Sequence, residues 1–509
     1  MGIALATDDE EFYIPVRHET WMIKNEQNVQ PPADLLSSLN VPVVFHNAKF
    51  DLQILKKAGV QPPKEFYDTM LMAHLIDENK LFGYSLEDLA TELLGVGKDL
   101  AMAKLMKSVK WNDVPSFAMA RYAKQDARIT LDLYHKLKPY FLEYEEVWKV
   151  DREFLLVLQR LEERGMLVDR KMAAELKIRC EERLKELISL IGFDPAKSNT
   201  LQQKLFDEPP FGLGLKVLTR TPTGRAQVND DFLETSNHPI CGLILEFRKL
   251  NKQLTGYYIP YLEMTKSDGR LHAGFKQHGT VTGRLSCADP NLQQIPRDGK
   301  VKKLFLPDPG YQLWEIDYKN IEMRLAAVYS EEPGLLETFK AEGDVHQTTA
   351  NELGISRQDA KTINFLIIYG GSQRKLSQQL GVSEQTASKY LKKYKELYRE
   401  LFKCMYRAER AADELNWVQM WGGRRRHFKQ QYEHRKAFNS LIQGGAFEIV
   451  KRSMIKLEEA GFDQRCQVHD SVWLQVSSED EVKKAQQICE EWTEPIFDLR
   501  FTTDRKRLN

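Results

Sequence analysis

Two short stretches, far apart in the chain, each carry an aspartate where a hard cation can be held. Residues 313–324 read LWEIDYKNIEMR. The first half alternates, so Leu313, Glu315 and Asp317 share one face of a strand and Trp314 and Ile316 the other. From Asn320 onward the pattern favours helix and carries Glu322. Asp317 is therefore expected at a strand end, just before a turn into helix, a rigid place from which a carboxylate can hold Mg²⁺. Residues 465–476 read RCQVHDSVWLQV. Two apolar runs flank His469, Asp470 and Ser471, as in a hairpin with an acidic tip. Two aspartates on adjacent strands of one sheet can clamp two divalent ions about 4 Å apart, the arrangement that drives in-line phosphoryl or nucleotidyl transfer.

Between them, residues 356–371 read SRQDAKTINFLIIYGG. Ser356 and Asp359 form a capping box, which predicts a helix start. Arg357, Lys361, Phe365 and Tyr369 recur every four residues and drift only about 40° per step, so they share one broad helical face. Cations in a first turn oppose the helix dipole unless an anion sits there, which points to a bound polyphosphate. Phe365 and Tyr369 lie further along, where a base can stack. On this stretch alone, an amphipathic helix with solvated basic residues is the alternative.

In this order, the three stretches resemble motifs A, B and C of family A DNA polymerases, the bacterial DNA polymerase I type and its phage relatives. The resemblance spans nearly the whole chain. It implies template-directed addition of deoxynucleotides to a primer 3′ end, with primer-template DNA and deoxynucleoside triphosphates as partners. Asp317 and Asp470, with the Tyr318 backbone carbonyl, would bind two Mg²⁺, Mn²⁺ being an alternative. Lys361 would donate a proton to pyrophosphate. Arg357, Lys361 and His346, the last in a Gly343-Asp344-Val345-His346 segment, would neutralise the phosphates. Phe365, Tyr369 and Asn320 would line the nucleotide pocket, and Glu322 would exclude a 2′-hydroxyl and pair with Tyr369. Residues 280–296, TVTGRLSCADPNLQQIP, resemble a segment that touches the primer-template minor groove, with Arg284 as the contact. Arg435, Asn439 and Gln443, four apart on one expected helical face, and His469 would meet template and primer. Three positions depart from the family pattern. Ser471 replaces Glu in His-Asp-Glu, Asn320 replaces Gln, and Leu366 replaces Gly.

The amino-terminal part resembles the 3′-5′ proofreading exonucleases of ribonuclease-H-like fold. Asn47 and Asp51, then Tyr122 and Asp126, match their second and third motifs. The family's Asp-x-Glu lies on a strand that would come just before Gly2. The acidic run Asp8 to Glu11 contains those letters only in a hairpin turn. Proofreading is therefore expected to be absent or very weak. The expected fold is α/β and α+β multidomain. Residues 1–147 form a truncated exonuclease-like domain without its first strand. Residues 148–509 form a right-hand polymerase domain, with a thumb over about 148–270, a palm over about 271–330 and 426–509, and fingers over about 331–425. Residues 194–225 read as loops, residues 239–258 as one helix, and the tail DRKRLN as exposed.

Bulk properties agree with a globular enzyme. The chain has 73 Lys and Arg against 73 Asp and Glu, so any nucleic-acid footprint must be local. No run approaches a membrane span, and no signal segment opens the chain. Six scattered cysteines without CxxC spacing argue for a reducing compartment and against zinc. A monomer in the cytoplasm of a bacterium or a phage-infected cell is expected. The rival readings are a nuclease built on the amino-terminal domain and a DNA-binding relative with a decayed site.

Overall fold

A computed structural model describes residues 2–16, 28–97, 114, 116–296 and 299–508. The chain opens with an antiparallel hairpin of Gly2–Ala6 and Glu11–Pro15. The acidic run forms its turn. Asp8 pairs with His135 at 3.0 Å and Glu11 with Arg128 at 3.0 Å, so the turn fastens the long helix Ser116–Phe141 to the hairpin. A second, parallel pair joins Val43–Phe45 to Phe66–Asp68. Asp68 is buried and accepts the backbone N–H groups of Asn47 (3.1 Å), Ala48 (2.8 Å) and Met70 (2.9 Å). One carboxylate thereby satisfies orphan donors at the starts of two helices, Ala48–Lys57 and Thr69–Ile76.

The helix Glu145–Arg164 belongs to two cores. Val147, Trp148 and Leu155 pack into the amino-terminal core, while Phe154, Leu158 and Leu161 pack into the large one that follows. It stops at Gly165, whose φ of 61° suits a residue without Cβ. Asp169 then caps Arg170–Ile191 by accepting from Met172 N at 2.9 Å. Two expectations need correction here. The stretch read as loops holds a helix, Ser198–Phe206, because Leu201 and Leu205, four apart, are buried. The helix that begins at Pro239 runs through a wide π turn, Leu254–Tyr258, and on to Met264.

The second half of the chain is centred on a four-stranded antiparallel sheet, in the order Asp463–Val468, Ser471–Val476, Gln312–Tyr318, Thr503–Arg507. The tail read as exposed is thus the sheet's edge strand, with Asp504 opposite Asp317. Its charged sequence fits that position, since charges on an edge discourage pairing with another chain. Helix Ala437–Glu459 lies across the sheet and is buried along most of its length. Six helices follow one another between Pro333 and Leu415, among them Val345–Leu353 and Arg357–Ile368.

The densest basic run, Arg424 to Arg426, is a clasp. Arg424 pairs with Asp151, Arg425 with Glu143, and Arg426 with Glu78 at 2.8 Å. Lys451 also reaches Asp151 at 2.6 Å and Glu448 at 2.7 Å. Among the described residues, no helix is long and apolar enough to cross a membrane.

Candidate active site

The sheet brings the two aspartates together. Asp317 stands opposite Ser471 in the register of the two central strands. The hairpin turn is only two residues long, and His469 takes a left-handed φ of 54° to close it. Tyr318 N then donates to the Asp470 carbonyl at 3.3 Å, so the acidic tip lies against the end of the Asp317 strand. Desolvation, followed by repulsion from Asp470, Glu315 and Asp504, pushes Asp317 up to about 6. Desolvation also raises Asp470, opposed by Arg284. Mutually repelling carboxylates of this kind fit a divalent cation, whose charge would relieve the repulsion, and the hard oxygen donors suit Mg²⁺ or Mn²⁺. Among the described residues, no three His, Cys, Asp or Glu side chains form a closed metal shell. Two carboxylates and the Tyr318 carbonyl could hold such an ion with positions left over for other oxygen ligands.

Facing them is the helix Arg357–Ile368. Ser356 accepts from Asp359 N at 3.0 Å, as the capping box predicts. Ala360, Ile363, Leu366 and Ile367 are buried, while Arg357, Lys361 and Tyr369 are exposed and Phe365 half-buried. The four residues singled out by spacing therefore share the open face. The rings of Phe365 and Tyr369 lie 6.1 Å apart.

A hydrogen-bonded chain joins this helix to the sheet. Tyr369 donates its hydroxyl to Glu322 Oε2 at 2.5 Å, and Arg284 donates to Glu322 Oε1 at 2.6 Å. The same guanidinium lies 3.8 Å from Asp470. Burial is the main cause that raises Glu322, and its bonds from Tyr369 and Arg284 hold it down. Arg284, read from sequence as a groove contact, is thus also a member of the carboxylate network.

His346 needs correction. It is 2 % exposed and lies behind the helix. Asn364 Nδ2 donates to its Nδ1 at 2.9 Å, and its Nε2 donates to Asn320 Oδ1 at 3.2 Å. Desolvation lowers it to about 4, which favours the neutral ring that bonds Asn320 and Asn364 in this arrangement. Arg357 pairs with Asp344 at 2.6 Å. Arg435 also departs from expectation, because it sits in the 3-10 turn Gln431–Lys436 and not on the helix that follows. Of the three, Asn439 and Gln443 share that helix face, both half-buried on an otherwise buried stretch, and Asn439 Oδ1 has no hydrogen-bond partner among the described residues. His469 is exposed at the hairpin tip.

In the amino-terminal region, Asn47 caps its helix in a left-handed conformation, with Asp51 in the first turn. Desolvation, then Asp68, raises Asp51 to about 7. Tyr122 and Asp126 lie one turn apart on the helix Ser116–Phe141. The sequence puts Glu315 on the Asp317 face without giving it a role, and Lys302 among basic residues that could hold a nucleic-acid backbone; the fold places Glu315 beside Ser471 and turns Lys302 onto Glu315. The one available signal was that Glu315 precedes Asp317 by two residues and so shares its face.

Comparison with known proteins agrees with this architecture. Residues 168–502 match DNA polymerase family A, and residues 1–141 match the 3′-5′ exonuclease family. The chain belongs to DNA polymerase family A. It is 31% identical to DNA polymerase I of Rhizobium leguminosarum, over 92% of this chain and 50% of the relative. DNA polymerase I of Pseudomonas aeruginosa is 29% identical over 96% of this chain and 58% of its own length. The thermostable DNA polymerase I of Thermus filiformis is 31% identical over 88% and 59%. The chain thus spans between half and three fifths of these relatives. In fold it is similar to the POL domain of Pol1 from M. smegmatis, solved with DNA primer-template and dNTP. The TM-score is 0.80 at 24% identity, covering 93% of this chain and 87% of that one. An exonuclease domain followed by a right-hand polymerase domain is therefore the fold of this chain.

Proposed function

We propose that this chain is a template-directed DNA polymerase that adds deoxynucleotides to the 3′ end of a primer. The observation that carries the proposal is the placement of Asp317 and Asp470 side by side, opposite the face of Arg357, Lys361, Phe365 and Tyr369. Asp317, Asp470 and the Tyr318 carbonyl would hold two Mg²⁺, with Mn²⁺ able to substitute. When bound, the ions acidify the primer hydroxyl and stabilise the leaving pyrophosphate. Lys361, exposed on its helix, positions the phosphates and supplies the proton to pyrophosphate. Arg357 joins it once released from Asp344. Phe365 and Tyr369 stack on the incoming base. Glu322, clamped between Tyr369 and Arg284, forms a rigid wall under the sugar and excludes a 2′-hydroxyl. Asn439, Gln443, Arg435 and His469 meet primer and template. The working boundaries are an exonuclease-like domain over 1–147, a thumb over 148–270, a palm over 271–330 and 426–509, and fingers over 331–425.

Proofreading by this chain is proposed to be absent or very weak. Asp68 is engaged by backbone amides and Glu11 is paired with Arg128. The six cysteines are free and buried, which fits a monomer working in a reducing bacterial or phage-infected cytoplasm.

The test is a 5′-labelled primer on a longer template with Mg²⁺, with and without the four deoxynucleotides. Extension with nucleotides and constant length without them is the expected result. Shortening without nucleotides would overturn the proofreading statement, and an unchanged primer in both lanes would overturn the polymerase assignment.

A further inference from the structure

Ser471 is 2 % exposed and occupies the place where the family resemblance leads one to expect a glutamate. Its surroundings hold a carboxylate all the same. Ser471 Oγ lies 3.2 Å from Glu315 Oε1 and 2.9 Å from the Val468 carbonyl, its one hydrogen shared between two acceptors. Trp473 Nε1 donates to the same Glu315 oxygen at 3.1 Å. Lys302 Nζ reaches both oxygens at 3.1 Å, and its ammonium lies 5.2 Å from the Trp473 ring centre. Glu315 is thus held by three donors from two separate parts of the chain, and its side chain is only 13 % exposed. It shares a strand face with Asp317, two residues away.

We propose that Glu315 supplies, from the Asp317 strand, the third carboxylate of the palm, with Ser471 as the hydroxyl that positions it. Glu315 is not a metal ligand in this arrangement. It is a positioning residue whose charge strengthens divalent-cation binding at Asp317 and Asp470. This inference rests on the polymerase reading of the site. The rival explanation is a purely structural ion pair with Lys302, which would influence stability and leave the cation untouched.

Carboxylates that surround a metal site commonly change metal affinity about tenfold or more when removed, which sets the expected scale. Two variants test the idea, Glu315→Gln and the exchange Glu315→Ser with Ser471→Glu. Mn²⁺ binding would be followed by electron paramagnetic resonance in the complex with primer-template, a dideoxy-ended primer and the next nucleotide, where no turnover occurs. The Mg²⁺ midpoint of primer extension and the melting temperature would be measured alongside. Glu315→Gln is expected to weaken Mn²⁺ binding about tenfold and to raise the Mg²⁺ midpoint in parallel. The exchanged variant is expected to return both to within about twofold of the starting chain, because the charge is restored from the other strand. A folded Glu315→Gln variant with unchanged Mn²⁺ affinity would overturn the proposal, as would an exchanged variant that stays weak. If Glu315→Gln fails to fold, Ser471→Ala takes its place: losing the hydroxyl that positions Glu315 is expected to weaken Mn²⁺ binding severalfold, and a folded Ser471→Ala variant with unchanged Mn²⁺ affinity would overturn the proposal. Failure of the unaltered chain to extend any primer would overturn the polymerase reading and this proposal with it.

Discussion

The chain carries two sets of acidic residues that look alike as letters and differ in what their surroundings do with them. In the palm, Asp317 and Asp470 are set side by side by a hairpin of two residues, and repulsion helps keep Asp317 near 6. In the amino-terminal domain, Asp68 is tied by backbone N–H groups, Asp8 lies 3.0 Å from His135, Glu11 is tied to Arg128, and Asp51 stands on a helix beside Asp68. An acidic group becomes a metal donor where the backbone brings it to another and leaves its lone pairs open. Where amides and cations already satisfy it, the same residue type holds helices in place. The amino-terminal domain shows this second use in its attachment as well. Glu78 and Glu143 bind Arg426 and Arg425, and Asp151 on the joining helix binds Arg424, so that domain is clasped to the second half of the chain whatever its own activity.

The comparison breaks most sharply at the palm. Asp317→Asn or Asp470→Asn is expected to reduce primer extension by about 10³-fold or more with DNA binding retained, as measured by single-turnover extension and filter binding. Asp51→Asn and Asp126→Asn should leave extension unchanged. An equal loss from both sets would erase the distinction drawn here.

The next effect concerns stability. Asp151 is buried between Arg424 and Lys451, and those cations hold its carboxyl below the ordinary range despite burial. Asp151→Asn would leave two buried cations short of a partner, with an expected loss of about 3–5 kcal/mol in urea unfolding. By contrast, the Arg425 pair with the exposed Glu143 is partly solvated, and Arg425→Ala should cost about 1 kcal/mol or less.

Asp51 supplies a pH test of the amino-terminal site. Its folded value of about 7 exceeds the unfolded 3.8, so the native state binds the extra proton between them. Stability from this group is therefore greatest below about pH 4 and is lost as pH rises through 7. Asp51→Asn should flatten that slope and raise the melting temperature at pH 8. A melting curve whose pH dependence is unchanged by the substitution would show that Asp51 is solvated.

The last effect is one of selectivity. Glu322→Ala removes the wall held by Tyr369 and Arg284. Ribonucleotide incorporation relative to deoxynucleotide should rise about 10²-fold, with a much smaller change in deoxynucleotide extension, read by competing the two triphosphates.

Much of this was written locally in the chain. Strand alternation around Asp317, the capping box at Ser356, the four-residue spacing from Arg357 to Tyr369, and the stops at Gly165 and Gly192 each depend on residues within a turn or two of one another. Local propensity and pattern settle such features before any tertiary contact forms. The tertiary structure decided what depends on partners far away in sequence. The charged tail became a strand because an open sheet edge was available beside Asp317. The arginine run became a clasp because Glu78 and Glu143 of the amino-terminal domain and Asp151 of the helix that follows it meet the three side chains. His346 was withdrawn into a neutral network by Asn320 and Asn364, 26 and 18 residues away. Glu315 met Ser471 across 156 residues. A side chain's type fixes what it can bond, but whether it faces substrate or another side chain is set by which distant strand or helix packs against it.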